Sequence, residues 1–160
     1  MRGIVGLALL LALIAGTASA TAAAPPEKCI DLKLAQAKTV LGPTVTLSQK
    51  KVIRETICTA KAGGAVVATI RSQTNKDFEY VVKGLTDEKV YVKGLKKVSL
   101  GSKGYGYDLY AGSPPAFTQR VLLFQAGSRM FSVEVPAKRL LTPAKHLTLA
   151  RAVLKTAPRR

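Results

Sequence analysis

RVLLFQ (residues 120–125), AGSR (126–129) and MFSVEV (130–135) decide the fold. Two apolar runs of strand length flank four residues of turn composition, so the segment predicts a β-hairpin. Working outward, Thr142 can cap a helix whose first position is Pro143. At 100° per residue, Leu147, Leu149, Ala150, Val153 and Leu154 fall on one arc, with Lys145, Arg151 and Lys155 opposite.

Upstream, Asp31 is a candidate cap for a helix carrying Leu34, Ala37, Val40 and Leu41 on one face, stopped by Gly42-Pro43. Residues 52–59 read as one β-branched strand. After the Gly63-Gly64 turn, Val66, Ala68 and Ile70 share a face of its hairpin partner. Residues 74–77 have capping-box spacing, and Phe78, Val81, Val82 and Leu85 follow at helical spacing. Residues 90–92 and 98–100 read as short strands. GYGYDLYAG (104–112) is open between strand and glycine-kinked loop. The order helix, hairpin, helix, strands, helix predicts an α+β fold, an antiparallel sheet with its helices packed on one face.

The first twenty residues read as an address. Arg2 precedes a 13-residue apolar run at 4–16, and Ala18-Ser19-Ala20 has the small-x-small pattern of a signal peptidase site. The run is shorter than the about 20 residues needed to span a bilayer. Cys29 follows Pro25-Pro26-Glu27-Lys28, which is not a lipidation context. The expected organisation is a signal peptide (1–20), a flexible leader (21–28), one domain (29–157) and a basic tail (158–160). The expected destination is outside the cell, free or associated with the cell wall. In an oxidising compartment the two cysteines, Cys29 and Cys58, are expected to form one disulfide.

Several of these features together resemble a family of small exported actinobacterial proteins of unknown function, many of them lipoproteins. They are Cys29 before a helix ending in Val40-Leu41-Gly42, Cys58 in the next strand, Val98-Ser99-Leu100-Gly101 before the tyrosines, the apolar hairpin and the final helix. The chain departs from the family pattern in lacking the lipidation cysteine, and in lacking the aspartate and alanine of the middle motif at residues 98–104. The resemblance implies an exported α+β domain with one disulfide and carries no catalytic residue across.

Composition narrows the chemistry. One histidine and two cysteines exclude multi-histidine and four-cysteine metal sites. No Walker or dinucleotide glycine pattern and no nucleophile elbow is present. His146 lies at the centre of the last helix's apolar arc and reads as a neutral, hydrogen-bonded residue at the core edge rather than a base. An enzymatic reading requires a pocket joining it to a carboxylate. The expectation is a non-catalytic protein without metal or cofactor.

The charge balance is the strongest signal. Without residues 1–20 the chain keeps 24 basic and 9 acidic residues, a net charge of +15. That exceeds the ~2–8 a small domain needs for solubility. Lys89, Lys93, Lys96, Lys97 and Lys103 lie in one acid-free stretch. Lys138, Arg139, Lys145, Arg151, Lys155, Arg159 and Arg160 lie in another. Such a field concentrates anionic partners, and the expected ones are acidic envelope polymers or lipid headgroups. The alternatives are a merely solubilising surface, or an inhibitor or accessory subunit docking on another exported protein. Nucleic acid ranks lower, because lysines outnumber arginines 16 to 8 and no nucleic-acid module appears. Tyr105, Tyr107 and Tyr110 are candidate ligand contacts, with cross-strand packing as the competing role.

Overall fold

The computed structural model describes residues 28–74 and 77–157. The signal segment, leader residues 21–27, the middle of the 74–77 capping box and the tail 158–160 lie outside the described residues. In chain order the elements are α1 (Leu34–Leu41), β1 (Thr46–Val52), β2 (Glu55–Ala62), β3 (Ala65–Thr74) and α2 (Phe78–Asp87). There follow β4 (Val92–Lys97), β5 (Lys103–Ala111), β6 (Ala116–Ala126), β7 (Arg129–Pro136), a 3-10 turn (Ala137–Arg139) and α3 (Pro143–Thr156).

The expected hairpin is β6–β7. Ala126 pairs with Arg129, so only Gly127 and Ser128 connect the strands, and Gly127 supplies the positive φ of 58° that a tight hairpin needs. Seven strands form one antiparallel sheet in the order β1-β2-β3-β7-β6-β5-β4. A three-stranded meander comes first. The chain then passes through α2 to the far edge, and a four-stranded meander returns to lay β7 beside β3.

The α+β class holds, and the layering is fuller than expected. Leu122 and Phe124 of β6, with Phe131, Val133 and Val135 of β7, pack with α1 and α3 on one face. Val121, Leu123 and Met130 point the other way, into a second core under Phe78 and Val82 of α2. Two helices therefore share a face and the third covers the opposite one. A central strand covered on both sides has no polar alternation to show, which is why β6 carries the unbroken run Val121-Leu122-Leu123-Phe124. Phe124 and Phe131 are fully buried and stack at 5.3 Å. Burying such a side chain contributes about 1.5–3 kcal/mol.

Cys29 and Cys58 are bonded and tie the segment before α1 to β2. Asp31 is not a helix cap. Lys33 occupies the N-cap of α1 with no side-chain bond, and Asp31 is buried. Its carboxylate meets the Arg129 guanidinium at 3.0 Å and accepts from the Ser72 hydroxyl, while Thr156 donates to its backbone carbonyl. A carboxylate out of water needs such partners, and these draw in β3, β7 and α3.

The single strand expected over 52–59 is broken by a turn at Ile53-Arg54, and β1, which was not expected, precedes it. Ile53 itself takes the positive φ (24°) that glycine or asparagine usually supplies. A bulge between Ala60 and Lys61 leaves Val66 exposed and buries Val67 with Ala68 and Ile70. Residues 98–100 form a loop, not a strand. It folds back so closely that a Cβ on Gly104 would stand 2.7 Å from the Leu100 carbonyl oxygen. Asp77, not Thr74, is the N-cap of α2.

Candidate anion-binding face and cleft

The acids are unevenly divided between the two sides of the sheet, whereas basic residues occur on both. Of the acids, Glu55 and Glu134 hold Arg71, at 3.3 and 3.0 Å, and Glu79 of α2 takes the Lys103 ammonium. Asp77, Asp87 and Glu88 sit at the two ends of α2. On the α1/α3 side the described acids are only Asp31, buried against Arg129, and Asp108, held by Arg120. That side carries Lys33 and Lys38 of α1, Lys138 and Arg139 of the 3-10 turn, and Lys145, Arg151 and Lys155 of α3, all exposed. Lys93 and Lys96 join it from the edge strand β4, paired across from Asp108 and Gly106.

The candidate residues therefore divide. Lys93, Lys96, Lys138, Arg139, Lys145, Arg151 and Lys155 belong to one basic face. Lys97 lies opposite Tyr105 and points to the α2 side, Lys89 lies in the link after α2, and Lys103 is taken up by Glu79. The tyrosines stand in β5, which resolves the 104–112 segment as a strand. Tyr107 is buried in the α2-side core, and Tyr105 packs on Phe78 at 6.1 Å. Burial, helped by the Glu134 charge, pushes the Tyr107 phenol up to about 12. A register shift after Leu109 separates Tyr110, whose ring meets Phe117 at 5.7 Å.

Small-molecule sites are usually clefts of about 300–1,000 Å³, and one of about 460 Å³ opens where α3 leaves the β4–β5 end of the sheet. Gly106 carries no side chain on that face, and Val98, Leu122, Pro143 and Leu147 form apolar walls. The polar lining is Lys96, Asp108, Arg120 and His146. Arg120 grips Asp108 through Nε and Nη2, at 2.7 and 3.1 Å. His146 is buried as expected, with Nε2 at 2.9 Å from the Val133 carbonyl oxygen. A carbonyl only accepts, so Nε2 carries the proton and Nδ1 a lone pair. Burial pushes the imidazole below the usual histidine value and the Arg120 charge adds to this, against the Val133 hydrogen bond and Asp108.

His146 and a carboxylate thus share one cavity, the condition for an enzymatic reading. Asp108 is already engaged by Arg120, and among the described residues no serine, threonine or cysteine lines the cavity. The arrangement suits binding and orientation of a ligand. The cleft itself had no sequence signature. Among the described residues no three His, Cys, Asp or Glu side chains converge as a metal site, and no helix is long and apolar enough to cross a membrane. No protein-family model, curated protein or solved structure matches the chain.

Proposed function

We propose that the chain is an exported, non-catalytic binding protein that associates with anionic cell-envelope components through its α1/α3 face. The observation that supports this reading is the uneven placement of the acids. The exposed cations of α1, the 3-10 turn, α3 and β4 have no exposed unpaired acid among them, whereas the acids gather on the α2 side. An even solubilising coat gives no reason for that asymmetry. Acidic polymers and lipid headgroups share the phosphate or carboxylate chemistry that such a face attracts.

Sedimentation with anionic vesicles, and with a soluble polyphosphate, at about 50 and 200 mM salt tests the reading. Four released counterions correspond to a loss of roughly a hundredfold over that range for a phosphate polymer. Substituting Lys138, Arg139, Arg151 and Lys155 with glutamine is expected to remove most of the binding and most of the salt dependence. Salt-independent binding, or an unaffected variant, overturns it. A second reading, docking on another exported protein, is favoured by the free edge of β1 and the apolar groove of Cys29, Leu32, Leu34 and Leu47 beside it.

A further inference from the structure

We propose that the cleft between α3 and the β4–β6 end of the sheet binds one phosphate-monoester amphiphile, its head on Arg120, Lys96 and His146 and its alkyl body against Val98, Leu122 and Leu147. This goes beyond the surface reading, because it concerns a single bound molecule and, Lys96 apart, different residues.

Three features select that chemistry. The first is charge. Arg120 and Asp108 cancel, His146 is neutral, and Lys96 leaves the cleft with one uncompensated cation. Arg120 reaches Asp108 through Nε and Nη2, and Nη1 has no protein partner among the described residues. The occupant is therefore an anion.

The second is the free ring nitrogen. His146 is 2% exposed, yet Nδ1 has no hydrogen-bond partner among the described residues. His146 is one of the residues that line the cleft. A neutral Nδ1 only accepts. Below its second pKa of about 6, a monoalkyl phosphate is a monoanion that supplies both the charge and a P–O–H donor, whereas a carboxylate or sulfate ester supplies only the charge.

The third is the wall. Val98, Leu122 and Leu147 leave apolar surface that a bare inorganic ion cannot cover, and Gly106 keeps the floor open. A Cβ there would stand 3.3 Å from Leu122 Cδ2.

The test is calorimetric titration of the full chain at a pH of about 5.5, where the monoanion predominates, with decyl phosphate below its micelle concentration, alongside decyl sulfate and inorganic phosphate. One-to-one saturable binding of decyl phosphate is expected, with decyl sulfate at least about tenfold weaker, the value of one charge-assisted hydrogen bond, and inorganic phosphate at least about tenfold weaker for want of the buried alkyl chain. Three variants probe the parts. His146→Gln keeps a donor for Val133 but lacks Nδ1, Arg120→Gln removes the guanidinium, and Leu147→Trp fills the cleft from the half-exposed side of α3. Each is expected to weaken binding about tenfold or more. Thermal unfolding identifies variants that have not folded, and Leu147→Trp keeps the test available if the two polar variants fail. Substituting Lys138, Arg139, Arg151 and Lys155 with glutamine leaves decyl phosphate binding unchanged, so failure of the surface reading and failure of the cleft are separately visible. No saturation by decyl phosphate, or equal binding by the folded variants, overturns the site. Equal affinity for decyl sulfate overturns the role of His146, and equal affinity for inorganic phosphate overturns the amphiphile.

Discussion

Reducing the Cys29–Cys58 bond removes a constraint on a loop of 29 residues' separation. On the chain-entropy model, closing that loop takes about 12 cal/mol/K from the unfolded chain, or about 3.6 kcal/mol at 25 °C. Reduction without alkylation adds only two hydrogens, and the sulfurs need move apart only to van der Waals contact. For a domain of this size, unfolding entropy near 2.1 cal/mol/K per residue converts that loss to a fall in Tm of about 13 °C. Urea unfolding of the oxidised and reduced protein at neutral pH gives the difference directly, with the slope of the transition checking that the unfolded state expands on reduction. A loss below about 1 kcal/mol refutes the reasoning. It would mean that the 29–58 segment stays closed in the unfolded ensemble, or that the native bond costs as much as it constrains.

Arg129→Ala strands Asp31 as a buried carboxylate and is expected to cost about 3 kcal/mol, at the lower end for a broken buried pair because Arg129 is partly exposed; denaturant titration measures it. Charging His146 penalises the folded state, so the unfolded chain binds the proton first. Its share of the stability is complete above the ordinary value of 6.5 and is lost as pH falls below it, and His146→Gln flattens that acid limb in a Tm-against-pH series. Tyr107 works in the opposite range. Its folded value of about 12 lies above the ordinary 10, so stability falls between those limits, and phenolate absorbance is expected to show one tyrosine titrating last.

What was legible in the chain follows from where local chemistry and tertiary demand agree. Thr142-Pro143 starts α3 as written, with Thr142 accepting from the Lys145 amide at 3.3 Å. Gly42 ends α1, and the β6–β7 hairpin needs only its glycine. The helices were expected on one face only; the unbroken run at 121–124 fits a strand covered on both faces, but a run of apolar residues alone does not say which helix lies on which side. The turn at Ile53 was hidden because a β-branched residue occupies a position that glycine usually takes. Asp31 looked like a cap because its real partners, Ser72 and Arg129, are 41 and 98 residues away. The basic face was half legible. Two acid-free stretches pointed to it, but sequence could not show that Lys103 is answered by Glu79 on the other side. The cleft was invisible, since it is made by a missing side chain at Gly106 and by where α3 stops covering the sheet.

The central claim is that binding runs through the α1/α3 side. Backbone amide NMR shifts, followed while a soluble polyphosphate is added at low salt, test it most directly. Perturbations are expected at α1, the 137–139 turn, α3 and the β4 edge, reversed by salt, with α2 unmoved. Shifts centred on α2, or at the Ile53 turn alone, or none at all, would contradict it.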